Sequence, residues 1–500
     1  MSSSPTIAGI DLERATIPDL QRAMDSGRLT SVELTEFYLD RIRLLDPRLN
    51  SVITTNPDAS RLAEESDDRR KARRMLGLMD GIPVLLKDNI DTADKQPTTA
   101  GSFALAGSRP AADAPLVKRL REAGAVILGK TNLSEWANFR DRRSSSGWSA
   151  VGGQTGNPYV LDRNACGSSS GSGAAIAAHL ATVAVGTETN GSIVSAAGAT
   201  GVVGVKPSIG LVSRSGVVPI SGVQDTAGPM ARTVTDAAIL LGVLNGPDSG
   251  DPTTADSPAR PDYLRFLEPD AVLGKRIGVW DPTGGTSPDT VAVFARAVDR
   301  LESLGATPVE VTIPGLDVVG RTELPSMLHE FKHGINEYLA ATPGDHPADL
   351  AGLIEFNKAN ADVEMGFFGQ ELFEEAQATS GDLTEPAYLS LRAEATGAAR
   401  RGLDDTLRTH RLDAIVAPTN APAWKTTLGR GDDYLFGSST PSAVSGYTNI
   451  TVPMAFVGSL PVGLSIMAGR YSEPTVLALA YAFEQATRAR RPPEFLSAVR

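Results

Sequence analysis

The stretch ACGSSSGSGAA, residues 165–175, places four serines and three glycines in eleven positions, next to Cys166, the one thiol of the chain. A serine hydroxyl attacks a carbonyl only when a base takes its proton, and the chain has five histidines to offer. The loop fits the nucleophile-elbow pattern GxSxG at GSSSG, 167–171, which would make Ser169 the attacking group, followed by an acid and then a histidine. His179 lies ten residues on, inside the helical stretch AAIAAHLAT, and His410 is the late candidate. Cys166 is either a second nucleophile beside the loop or a small buried filler. A different base is Lys87, at the end of the apolar run GIPVLLK. Lysine can accept a proton where burial disfavours its ammonium. A further serine, Ser192, closes VGTETNGS about one helix after the loop.

Two more patterns carry chemistry on paper. HEFKH, 329–333, fits the zinc-peptidase HExxH, with His329 and His333 one helical turn apart, Glu330 as base and Glu355 or Glu364 as third ligand. The competing description is an amphipathic helix whose buried stripe is Leu328, Phe331, Ile335 and Leu339. GAVILGKT, 124–131, spells a phosphate loop, but its variable residues are Ala-Val-Ile-Leu. Such a loop must turn its backbone N–H groups toward phosphate, whereas this run reads as a strand.

The elements that position these residues alternate. TSVELTEFYLDRIRLLD carries a capping box, Thr30 to Glu33, ahead of apolar residues at helical spacing. AEESDDRRKARRM reads as a solvated helix face, with Glu65 and Arg69, and Asp67 and Lys71, four residues apart. Strands are expected at AVIL, KRIGVWD and TPVEVTI and buried strands at GIPVLLK, DAIVAP, NITVPMAF and LPVGLSIMA, with helices between them. The class is α/β. Between 164 and 232 glycine recurs every few residues among Val, Ile and Ala, the texture of short elements packed with backbones close together. No repeat or linker marks a boundary, so one domain over 1–500 is expected: a helical N-terminal segment (1–75), a core (76–315 and 411–500) and a more polar, helical, cap-like insertion (316–410).

Composition narrows the partners. Lys+Arg 47 against Asp+Glu 59 gives a net charge of −12, which argues against nucleic acid and anionic membrane. One cysteine excludes an internal disulfide and a CxxC zinc site. The N-terminus lacks the basic and apolar regions of a signal peptide, and no run reaches 18 apolar residues. A cytoplasmic monomer or homodimer is expected.

Taken together, GIPVLLKDNID, AGAVILGKTNLSEWANF, GSSSGSGAAIAA, VAVGTETNGSI, GATGVVGVKPSIGLVSRSGVVPISGVQDTAGPMARTVTDAAILL and PVGLSIMAGRYSEPTVLALAYAFEQAT resemble the amidase signature family, in the same order and over roughly residues 15–490. TETNGSI, SEWANF and QDTAGPM are most similar to its bacterial peptide-amidase branch. The resemblance implies an α/β/α sandwich around a large mixed sheet. It also implies a triad of Ser192 as nucleophile, Ser168 as relay after a cis peptide bond from Gly167, and Lys87 as base. The family's two serines stand 24 residues apart, as Ser168 and Ser192 do. Asp88 should point away from Lys87 on the opposite face of the strand. Backbone N–H groups of Thr189, Asn190, Gly191 and Ser192 would form the oxyanion hole. Two positions depart from the family: Glu188 and Asn190 replace a common Asp-x-Gly-Gly-Ser, and Val194 and Ser195 stand where many members carry arginine. The second departure argues against small anionic amides and against a tRNA amidotransferase glutaminase subunit. Trp148, Trp424 and Ser169 are the candidate pocket residues, with Trp136 equally suited to packing. The implied activity is hydrolysis of neutral small amides, C-terminal peptide amides among them, through an acyl-serine, without metal or organic cofactor. The alternative is an aryl-acylamidase or a carbamate- and ester-cleaving relative.

Overall fold

The computed structural model describes residues 5–258 and 262–499. The N-terminal helix Ser31–Leu45 begins where the sequence places it, with Thr30 Oγ1 accepting from Glu33 N (3.1 Å) and Glu33 Oε2 from Thr30 N (2.8 Å). The helix Ala59–Lys71 turns Glu64, Glu65, Asp68 and Lys71 to solvent, as a solvated face requires, with Asp67 the exception. Asp67 is buried and caps the neighbouring helix, accepting from Ser31 N and Val32 N at 2.8 and 3.1 Å. Arg69 reaches the buried Asp80 at 2.6 Å, and Lys71 pairs with Asp68. Helix-to-helix packing outcompetes the i,i+4 pairs.

Eleven strands form the central sheet: β1 Val52–Thr55, β2 Pro83–Lys87, β3 Val126–Thr131, β4 Val183–Glu188, β5 Val203–Lys206, β6 Thr226–Ala231, β7 Arg276–Val279, β8 Thr307–Glu310, β9 Ala414–Pro418, β10 Asn449–Val457 and β11 Leu460–Met467. Their order is β8-β7-β9-β11-β10-β5-β6-β4-β2-β3-β1. The sheet is mixed, with β2 parallel to both β3 and β4 and β6 antiparallel to β4. The expected strands all appear, and GAVILGKT supplies β3 rather than a phosphate loop. Most of these strands are buried along their whole length, which explains the unbroken Val, Ile and Leu runs.

The glycine-serine stretch leads into helix α1, Ser170–Ala177, every residue of which is buried. A Cβ on Gly171 would stand 2.3 Å from Ser51 O and 2.4 Å from Asn132 O, so only glycine lets α1 press this closely on the loops beside β1 and β3. A short helix α2, Val194–Ala199, follows β4. Residues 316–410 carry the long helices α3, Leu316–Ala341, and α4, Pro386–His410, with shorter helices between them. α3 buries Phe331, Ile335 and Leu339 in a second apolar cluster with Phe373, Trp136 and Phe139. Leu328 is only half-buried. Among the described residues no helix is long and apolar enough to cross a membrane.

Candidate active site

Parallel pairing sets Leu86 of β2 opposite Val185 of β4, so both strands end at the same edge of the sheet. Lys87 closes β2 there with no exposed surface. Its Nζ lies 2.7 Å from Ser168 Oγ, 2.9 Å from Thr187 Oγ1 and 3.3 Å from Thr187 O. Nζ is placed to donate to all three oxygens, and once the amine is neutral its lone pair can take the Ser168 proton instead. Burial lowers the Lys87 pKa to about 7, against the pull of the nearby Asp225 and Glu188 charges. Asp88 faces the other side of the strand, as its alternation requires. It receives the Thr99 hydroxyl and lies 3.9 Å from Lys130. Burial pushes its own pKa up to about 6, with Lys130 opposing. Lys130, the lysine of the phosphate-loop pattern, is wholly buried and bonded to Ile90 O at 2.6 Å.

The Gly167–Ser168 peptide bond is cis. A Cβ on Gly167 would stand 2.2 Å from Ser134 Oγ, so the position admits no side chain as packed. The next residue ties this loop to the Ser192 turn, Ser169 N donating to Ser192 O at 3.1 Å. Ser168 is fully buried, whereas Ser192 keeps 9% of its surface and lines a cavity of about 410 Å³. The turn preceding it follows β4. Glu188 reaches forward to accept from Ile193 N and Val194 N (2.8 and 3.0 Å), and Gly191 takes φ +86°, where a side chain would be strained. The N–H groups of Asn190 and Ser192, two residues that line the cavity, carry no hydrogen bond to another described residue, and neither does that of Gly191 between them. The same wall includes Phe139, Cys166, Ile220, Met327, Asp432 and Tyr434. Among the described residues it contains no lysine or arginine. Ser195, where an arginine would project in many relatives, instead shares a hydrogen bond with Tyr434 OH at 3.2 Å.

The family description Amidase matches residues 33–477. The chain belongs to the amidase signature family. A probable amidase of Arabidopsis thaliana is 43% identical over 97% of this chain and 92% of its own length. The solved peptide amidase of Stenotrophomonas maltophilia is 50% identical, with a TM-score of 0.92 over 96% of this chain and 99% of that one. A glutamyl-tRNA(Gln) amidotransferase subunit from Geobacter metallireducens is 35% identical over 96% of this chain and 98% of its own length. The protein is therefore an amidase-family hydrolase acting on C–N bonds.

The other sequence candidates sit elsewhere in the amidase. Ser169 is buried, with its Oγ on Thr187 O at 3.0 Å, and no histidine accompanies it. His179 is held 2.8 Å from Glu13, and burial with three neighbouring arginines drives its pKa well down. His410 ends α4. The Cys166 thiol, pushed up to about 12 by burial, is a poor nucleophile. Glu330 of HEFKH turns into the protein, where Arg392 grips it with two hydrogen bonds (2.6 and 2.7 Å) and Tyr388 OH donates at 2.8 Å. His333 faces Glu337, Glu355 pairs with Lys358, and Glu364 caps Phe103 N. Among the described residues, no three metal-ligating side chains converge.

None of the three pocket candidates lines this cavity. Trp148 is buried between Phe367 and Phe368, with the Arg140 guanidinium 5.6 Å from its ring. Trp424 stands edge-on to Tyr434 at 5.7 Å, and of that pair Tyr434 forms the wall. Ser169 points into the core. Large aromatics were drawn into packing because their area is worth most there. Sequence reasoning passed over Thr187, Asp225, Asp432 and Tyr434. The first two lie in TETNGSI and QDTAGPM, so the density of those motifs was the available signal.

Proposed function

We propose that this amidase hydrolyses neutral small amides, C-terminally amidated peptides among them, through an acyl–Ser192 intermediate. The observation that carries the reading is the buried, near-neutral Lys87 amine on Ser168 Oγ, one loop away from a pocket-facing Ser192. Ser192 Oγ attacks the amide carbon while its proton passes to Ser168 Oγ and the Ser168 proton passes to Lys87 Nζ. The oxyanion meets the backbone N–H groups of the 189–192 turn. Collapse breaks the C–N bond, and the relay returns a proton to the departing amine. Water then repeats the sequence on the ester, releasing the acid and free Ser192.

A neutral substrate is favoured by the cation-free wall, because a bound carboxylate would be desolvated without a partner. That same feature disfavours glutamine, the substrate a glutaminase subunit would need. Residues 316–410 serve in this reading as a cap on a single domain, contributing Met327 to the wall. The test is product release from an amidated dipeptide, an acyl anilide and an aryl carbamate, with Ser192→Ala as control. Ammonia appearing fastest supports the peptide-amide reading. Arylamine dominating would transfer the enzyme to the aryl-acylamidase or carbamate class. Turnover undiminished in Ser192→Ala would remove the nucleophile assignment.

A further inference from the structure

Asn190 brings a side chain into the oxyanion turn, and the structure shows where it goes. Its Nδ2 donates to Glu323 Oε1 of α3 at 2.9 Å and to Thr440 Oγ1 at 3.2 Å, and its Oδ1 accepts from Ser439 Oγ at 2.7 Å. Glu323 Oε1 also accepts from Gln224 Nε2 at 2.9 Å. Gln224 Nε2 approaches the Thr189 carbonyl at 3.4 Å, and its Oε1 receives Arg392 Nη1 of α4 at 2.5 Å. Arg392 is in turn fixed by Glu330, and Glu330 also receives Ser221 Oγ. From the other side, Thr189 Oγ1 donates to Asp225 Oδ1 at 2.6 Å. The turn that presents the oxyanion donors is therefore gripped by α3, by the 221–225 loop, which α4 holds through Arg392, and by the start of the helix Thr440–Ser445.

We infer that Glu323, Gln224 and the Asn190 side chain are positioning residues for the oxyanion turn, through which the 316–410 insertion holds the hole in its working geometry. The inference rests on the amidase reading of Ser192. A carboxylate oxygen that accepts from two amides at once leaves each amide one orientation, and with Ser439 and Thr440 on its far side Asn190 cannot rotate without losing several bonds. The donors themselves are backbone groups, so a slackened turn weakens transition-state stabilisation, and Glu323 stands outside the cavity wall, so its removal takes no substrate contact away.

The test is steady-state kinetics on the amide the parent enzyme cleaves best, with Tm as a check on folding. Glu323→Ala should lower kcat about tenfold or more, with KM within about twofold, a fraction of the ~100-fold cost of deleting an oxyanion donor. Glu323→Gln keeps an oxygen for both amides and should hold kcat within about threefold. In an Asn190→Ala background, itself about tenfold slower, Glu323→Ala should cost less than about twofold more, because both act through one contact. If Glu323→Ala does not fold, the kcat loss in Asn190→Ala and the recovery in Glu323→Gln carry the same test. Parent-like kcat in Glu323→Ala or Asn190→Ala, a change confined to KM, or additive losses would overturn the inference while leaving the amidase reading intact. A parent chain that cleaves no amide and whose Ser192 resists a fluorophosphonate probe would instead overturn that reading, and the inference with it.

Discussion

Lys87 has to be neutral to accept a proton, and its lowered pKa of about 7 fixes how activity should follow pH. Below that value the buried amine is an ammonium with no lone pair for Ser168, so kcat/KM should rise through an acid limb near pH 7 and level off above it. A limb near pH 4–5 would point to a carboxylate base instead. Lys87→Ala should lose activity by about three orders of magnitude or more at neutral pH, with a smaller deficit at high pH, where hydroxide replaces part of the base. The same burial has a stability cost of known sign. The folded pKa lies below the unfolded one, so the penalty is fully present below pH 7 and disappears as pH rises toward the ordinary lysine value. Lys87→Met should therefore be inactive yet more heat-stable than the parent at pH 6–7, on the order of a few kcal/mol, with the difference narrowing toward pH 10. Equal melting curves at pH 6 would mean that the amine is not desolvated. At this scale the sequence showed much. The apolar run before Lys87 announced burial, and strand alternation turned Asp88 away. It did not single out Thr187 or Asp225: their motifs were dense, but which hydroxyl and which carboxylate come near Lys87 is decided only once distant loops converge.

Strands and helices put these residues in reach by close backbone approach. β2 and β4 end together because they pair in parallel, and α1 begins immediately after the loop that carries Ser168. Gly167 is the tight point of the Ser168 loop, its absent Cβ 2.2 Å from a Ser134 hydroxyl that itself receives Gly147 N at 2.8 Å. Gly167→Ala should displace Ser168 and cut kcat about 100-fold, the scale set by an ångström of misplacement. Adding Ser134→Ala removes the opposing oxygen and should restore part of the loss. No recovery in the double variant would show that another contact governs the loop. The glycine-rich texture announced close packing in this region, and the strand positions followed from unbroken apolar runs. Which strands are neighbours was not legible, since Gly204 of β5 stands between Met230 of the nearby β6 and Thr451 of β10, which comes from the far end of the chain. The solvated face of helix Ala59–Lys71 was legible, but the partner of its Asp67 was not, because another helix claims that carboxylate.

Across the whole molecule, the two ends of the chain meet behind the catalytic layer. Arg41, from the N-terminal helix Ser31–Leu45, donates to His179 O and Ala178 O at 2.8 Å each, just past the C-terminus of α1. Arg490, near the other end, donates to Ala177 O at 3.2 Å and pairs with Glu13 at 2.5 Å, while Glu13 also holds His179. Cations at a helix C-terminus satisfy carbonyls that the helix leaves open and oppose its dipole. Helix α1 is thus clasped at one end by both chain termini and carries the Ser168 loop at the other. Arg41→Ala leaves two partly buried carbonyls unpaired, at about 1–3 kcal/mol. In a chain of this length that corresponds to a Tm lowered by roughly 1–3 °C. The pocket lies at the opposite end of α1 and none of its wall changes, so kcat and KM at 25 °C should stay within about twofold of the parent. A large fall in kcat without a fall in Tm would show instead that the clasp tunes the serine loop along the helix, and would tie the chain ends to catalysis rather than to stability.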